Sequence, residues 1–137
     1  MTTDEQVAQF LQEFAQWAAA QPGIAAVALV GSYARGAATA TSDIDLVLLA
    51  SDPRKYLDDT GWVERFGAVQ QRQFEGYGKV TSVRVWYADG REVEYGLTDE
   101  TWGADPADAG TQRVIADGMR VLFERKPLLS QCGQSTE

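Results

Sequence analysis

Two runs constrain this chain more than anything else in it. Ile24–Val30 is continuously apolar and stops at Gly31-Ser32, and Asp43–Leu49 opens with acid, apolar, acid before turning apolar. Each run has strand length and polar or turn-forming flanks, so each reads as a buried strand. Side chains alternate along a strand, so Asp43 and Asp45 point to one face, with Cα atoms roughly 6.5–7 Å apart at about 3.3 Å per residue. Like charges at that spacing repel, and burying either alone costs several kcal/mol. Two arrangements relieve this. Either both acids sit at a solvated strand mouth, or a divalent cation sits between them, where one carboxylate can bridge two hard cations. Gly31 supplies the complementary half, because glycine lets the backbone turn sharply after the strand. Backbone N–H groups and the Ser32 hydroxyl can then cradle phosphate oxygens.

Composition narrows the chemistry. The chain has no histidine, which excludes a His base, a His metal ligand and a Ser-His-Asp triad. Its one cysteine, Cys132, excludes a disulfide framework and Cys-ligated zinc. A metal here must be held by oxygen, which favours magnesium or manganese. The net charge of −8 makes long nucleic acid a poor partner, since phosphate binding needs a basic stripe. No stretch approaches the roughly 18–20 apolar residues of a membrane span. The acidic N-terminus lacks the basic start of a signal peptide. A soluble cytoplasmic protein with no membrane partner is therefore expected. At 137 residues the chain is one domain's worth of sequence, expected over residues 1–126 with residues 127–137 as a tail.

The flanking sequence supplies the other elements. Val7, Phe10, Leu11, Phe14, Trp17 and Ala18 have helical spacing after a capping box at Thr3/Gln6 or Thr2/Glu5, and Gln21-Pro22-Gly23 stops the helix. Pro53 opens a short helical stretch to Asp59, with a second over Gly61–Phe66, and Ala68–Glu75 fits an edge strand. Val80–Tyr87 and Glu92–Leu97 flank an Asp-Gly turn and form a hairpin. A helix from Asp105 or Asp108 to Gly118 precedes a last strand, Met119–Phe123. Tyr33, Trp86 and Tyr95 fit packing better than stacking on a base.

Gly31-Ser32-Tyr33-Ala34-Arg35-Gly36, followed by Ser42-Asp43-Ile44-Asp45-Leu46, resembles the signature of the DNA polymerase beta-like nucleotidyltransferase superfamily. It is most similar to the minimal and the aminoglycoside nucleotidyltransferases. The resemblance implies an α/β (α+β) fold, a mixed and largely antiparallel sheet with flanking helices. It also implies magnesium-dependent transfer of a nucleoside monophosphate from a nucleoside triphosphate, ATP being the expected one, to a hydroxyl of a protein or small molecule. By the same resemblance Asp43 and Asp45 hold the metal, Gly31 and Ser32 bind the triphosphate, and Arg35 is a candidate phosphate contact. Relatives use a third carboxylate from a later strand. Glu92 and Glu94 both qualify, since alternation puts them on one face opposite Val93, Tyr95 and Leu97. Glu94 is preferred because it lies deeper in the hairpin arm. The alternative reading is a non-catalytic or weakly catalytic interaction module, such as an antitoxin-like partner of a helical protein.

Overall fold

The computed structural model describes residues 3–36, 38, 42–77, 80–102 and 118–125. The two diagnostic runs become adjacent antiparallel strands, β1 (Ile24–Val30) and β2 (Ile44–Ala50). Four more strands extend the sheet: β3 (Val69–Tyr77), β4 (Val80–Tyr87), β5 (Glu92–Thr98) and β6 (Met119–Glu124). The order is β3-β4-β5-β2-β1-β6. β2 and β5 run parallel and the other pairs antiparallel, giving the mixed, largely antiparallel sheet that the resemblance implies. The weakly patterned stretch before the hairpin is edge strand β3, longer than expected. The helix expected near residues 105–117 and the tail at 127–137 lie outside the described residues, as does Cys132.

One face of the sheet is closed by α1 (Thr3–Ala19) and α3 (Pro53–Asp58), with a 3-10 turn at Gly61–Phe66. The stripe on α1 is core: Val7, Phe10, Phe14, Trp17 and Ala18 are buried. Phe14 stacks on Tyr95 at 5.5 Å, and Trp17 stacks on Trp62 at 5.3 Å. Each such aromatic contributes on the order of 1.5–3 kcal/mol by leaving water. Tyr95 is fully buried here, which removes it as a base-stacking residue. Its hydroxyl lies 2.7 Å from that of Tyr87, which donates at 2.7 Å to the Val63 carbonyl. The Tyr87 proton is thereby used, so Tyr95 donates to Tyr87.

The other face carries a smaller apolar cluster, in which Trp102 covers Ala26, Ala28, Val30, Val47 and Leu49. This explains why β1 and β2 read as apolar runs without alternation: both faces are covered over most of their length. Asp45 shares a face with Val47 and Leu49 by alternation. At the far end, Arg125 donates to the Ala19, Gln21 and Ile24 carbonyls at 2.7–2.9 Å. A cation there satisfies carbonyls at the end of α1.

Candidate active site

Sheet register places the site. Asp45 on β2 is opposite Val30 at the end of β1 and, across the parallel pair, opposite Glu94 on β5. Glu94 is in turn opposite Arg84 on β4. Residues in one such row point to one face, so Asp45, Glu94 and Arg84 stand side by side. Asp43, just before β2, joins them by alternation. Asp43, Asp45 and Glu94 each bring a carboxylate oxygen to within 4.8 Å of the others. Glu92, the other candidate on β5, is not in this group and instead accepts from Arg84 at 2.5 Å.

Gly31 follows β1 directly and opens α2 (Gly31–Arg35) at φ +75°. That left-handed conformation suits glycine. A Cβ there would also collide with the Asp45 carboxylate. Glycine is therefore needed first for close approach to Asp45, a reason nearer than the phosphate approach that the sequence suggests. Ser32 lies half-buried on α2 beside it, and Arg35 ends the helix. Tyr33 packs against the main core, and Trp86 lies half-buried on β4, opposite Glu92.

The electrostatics are unfavourable as they stand. Burial, and after it the nearby charges of Asp43 and Glu94, push the Asp45 carboxyl up to about 8. Burial also raises Glu94, against the opposing pull of Asp45 and Arg84. Asp45 Oδ1 and Glu94 Oε1 are buried with no hydrogen-bond partner. Such orphaned acceptors are expensive inside a protein. Two buried acceptors beside a third carboxylate, all oxygen, match the donor set of a hard divalent cation.

Sequence reasoning missed Arg84. Its guanidinium reaches Asp43 (2.9 Å), Glu75 (3.2 Å), Glu92 (2.5 Å) and Glu94 (3.3 Å), and its side chain is only 17% exposed. The signal was present: in Val80–Tyr87 the buried apolar positions are Val83, Val85 and Tyr87, so alternation turns Arg84 to the other face, toward the acids. The Asp-Gly turn fixes Trp86 opposite Glu92 and hence Arg84 opposite Glu94.

No curated protein matches the chain in sequence. Among solved structures, the fold is similar to an aminoglycoside 6-adenyltransferase from Bacillus subtilis, at 18% identity and a TM-score of 0.58, over 77% of this chain and 38% of that one. It is also similar to a cytoplasmic RNA terminal U-transferase (14% identity, TM-score 0.50, 83% and 32% covered). A third similar structure is the Cid1 poly(U) polymerase (13% identity, TM-score 0.51, 83% and 34% covered). The chain thus spans about a third to two fifths of those proteins. The sequence model of the nucleotidyltransferase domain matches residues 5–96, which include β1, Gly31-Ser32, both aspartates and Glu94. With more than half of its length matched, the chain belongs to the nucleotidyltransferase domain family.

Proposed function

We propose that this chain transfers a nucleoside monophosphate from a nucleoside triphosphate to a hydroxyl, forming a new P–O bond at the α-phosphorus as the α–β anhydride breaks and pyrophosphate leaves, with Asp43, Asp45 and Glu94 holding magnesium or manganese. The observation that carries this reading is the carboxylate trio, two of whose oxygens are buried and unpartnered. A bound divalent cation would neutralise triphosphate charge in an in-line displacement. The protein's share is then positioning and charge. Gly31 and Ser32 turn the backbone at the end of β1 so that amides and a hydroxyl face the triphosphate. Arg35, on the same turn of helix, is a further phosphate contact. Glu94, beside Asp45, helps to hold the cation and so assists deprotonation of the attacking hydroxyl.

The family membership and the likeness to an adenyltransferase favour ATP as the donor. The acceptor is a protein hydroxyl, or a small molecule enclosed with another chain. The site presents Glu75 and Glu92 around the trio, and a polynucleotide would meet these charges. The test is a titration with manganese and then with a non-hydrolysable ATP analogue. Metal-dependent nucleotide binding that Asp45→Asn abolishes supports the reading. A folded wild-type protein that binds neither manganese nor nucleotide overturns it and leaves the interaction-module reading.

A further inference from the structure

Four carboxylates converge on Arg84, and they fall into two pairs. Asp43 and Glu94 belong to the trio. Glu75 on β3 and Glu92 at the start of β5 do not, and they flank the guanidinium. Arg84 takes one oxygen from each member of the first pair: Oδ2 of Asp43 at 2.9 Å and Oε2 of Glu94 at 3.3 Å. Glu94 Oε1 remains buried and unpartnered. The division of oxygens is the informative feature. A guanidinium sitting in the cation's place would consume the acceptors that the cation needs. Here the buried acceptors are left over.

The structure assigns Arg84 as a positioning residue that, anchored by Glu75 and Glu92, holds one oxygen each of Asp43 and Glu94 and so presents their second oxygens, with Asp45, to the divalent cation. This rests on the reading that the trio binds metal. The planar guanidinium has five donors in a fixed fork, which suits several carboxylates at once; a lysine ammonium is a point charge on a flexible stem. Asp43, Glu75, Glu92 and Glu94 crowd around this guanidinium, with Asp45 beside Asp43 and Glu94. Without it, mutual repulsion turns Asp43 and Glu94 apart toward water, and a metal must then reassemble them. Groups that orient metal ligands from behind typically contribute 10–100-fold to affinity.

The experiment measures manganese binding, by calorimetry and by the spin-resonance signal of the free ion, without nucleotide or turnover. Four proteins are compared: wild type, Asp45→Asn, Arg84→Met and Arg84→Lys. Wild-type binding that Asp45→Asn abolishes establishes the metal site on its own, so failure of that reading is seen separately. Given that site, Arg84→Met is expected to weaken manganese binding about 10–100-fold, with circular dichroism unchanged. Arg84→Lys should recover only part of the loss. Equal or tighter binding by folded Arg84→Met overturns the assignment, because it makes Arg84 a competitor of the cation or a bystander. Wild-type affinity in Arg84→Lys also overturns it, reducing the role to net charge. If Arg84→Met does not fold, Arg84→Lys, which keeps the charge and the stem, decides alone by the same criterion.

Discussion

Asp45 and Glu94 are register partners across the parallel pair of β2 and β5. Nearly fifty residues separate them in the chain, and only the return of the β4–β5 hairpin to the edge of β2 brings them together. A one-residue slip of β5 would send Glu94 to the aromatic core and Tyr95 to the acids. The burial of Val93, Tyr95 and Leu97 against α1 and the 3-10 turn therefore fixes the position of a carboxylate on the opposite face.

Asp45→Asn separates the site from the fold. With its carboxyl pushed up to about 8, Asp45 is largely protonated at pH 7 when no metal is bound. An amide is close to isosteric with that form. The melting temperature of the metal-free variant should equal or exceed that of wild type, while metal-dependent nucleotide binding and transfer fall by more than about 100-fold, beyond the loss typical of residues that only orient ligands. A marked drop in metal-free melting temperature would show that Asp45 is needed as a charge within the fold.

Metal affinity should depend on pH in a defined direction. Burial and the neighbouring carboxylates push the folded carboxyl up to about 8, from an ordinary value of 3.8. The folded protein therefore holds a proton that the unfolded chain releases between about pH 4 and 8, and metal-free stability falls as pH rises through that window. A divalent cation must displace the same proton. Apparent affinity is then expected to rise about tenfold per pH unit up to about pH 8, then level off. Calorimetry in buffers of different ionisation enthalpy would count the proton released. Affinity flat from pH 6 to 8 would contradict the prediction.

Gly31→Ala tests the contact between α2 and Asp45. The new Cβ meets the Asp45 carboxylate, and the backbone sits at φ +75°. The left-handed conformation alone costs about 1–2 kcal/mol for a residue with a side chain. Both stability and nucleotide-free manganese affinity should fall. Loss of triphosphate binding with manganese binding intact would restore the phosphate cradle as the main reason for glycine here.

The hydroxyl chain under the sheet gives an unequal pair of variants. Tyr95→Phe removes one donor, and Tyr87 still donates to the Val63 carbonyl. A loss of about 1 kcal/mol is expected. Tyr87→Phe leaves both the Tyr95 hydroxyl and the Val63 carbonyl without the partner each has now, and should cost about 2–3 kcal/mol. Denaturant midpoints would rank them. Tyr95→Phe should leave transfer activity unchanged at temperatures where it is folded, as befits a core residue.

The sequence made the two central strands and their acids legible because apolar runs of strand length and an acid–apolar–acid opening are local signals. The hairpin was legible for the same reason, through Asp89-Gly90. Arg84 was not singled out, although alternation on β4 places it correctly, because its meaning depends on Glu75, Glu92, Glu94 and Asp43 arriving from three other segments. The collision reserved for a Cβ on Gly31 was hidden likewise, since it depends on the close approach of β1 and β2 at Val30 and Asp45. Edge strand β3 was faint because Gln71, Gln73 and Phe74 are exposed and leave no clean apolar period.

The last prediction concerns the acceptor, and it is set against two structural neighbours that, by their names, act on RNA or make poly(U). Polynucleotide binding by this chain should be weak. Every phosphate held must be neutralised by a lysine or arginine. Among the described side chains, the face around the trio instead presents Asp43, Glu75, Glu92 and Glu94, and Arg84 is already shared among them. Of the two dibasic pairs in the sequence, Arg54 lies 3.8 Å from Asp58, and Arg125 donates to three backbone carbonyls. Single-strand binding also draws on aromatic rings that stack successive bases; the ring of Tyr95 is buried in the core, and Trp86, on the same face as Arg84, offers a single half-buried ring. Anisotropy titrations with labelled DNA and RNA at low salt should give dissociation constants above about 10 μM, in the weak range of non-specific contacts. Sub-micromolar binding that weakens steeply with salt would show that a polynucleotide finds cations this face does not present, and the acceptor class would have to be reassigned.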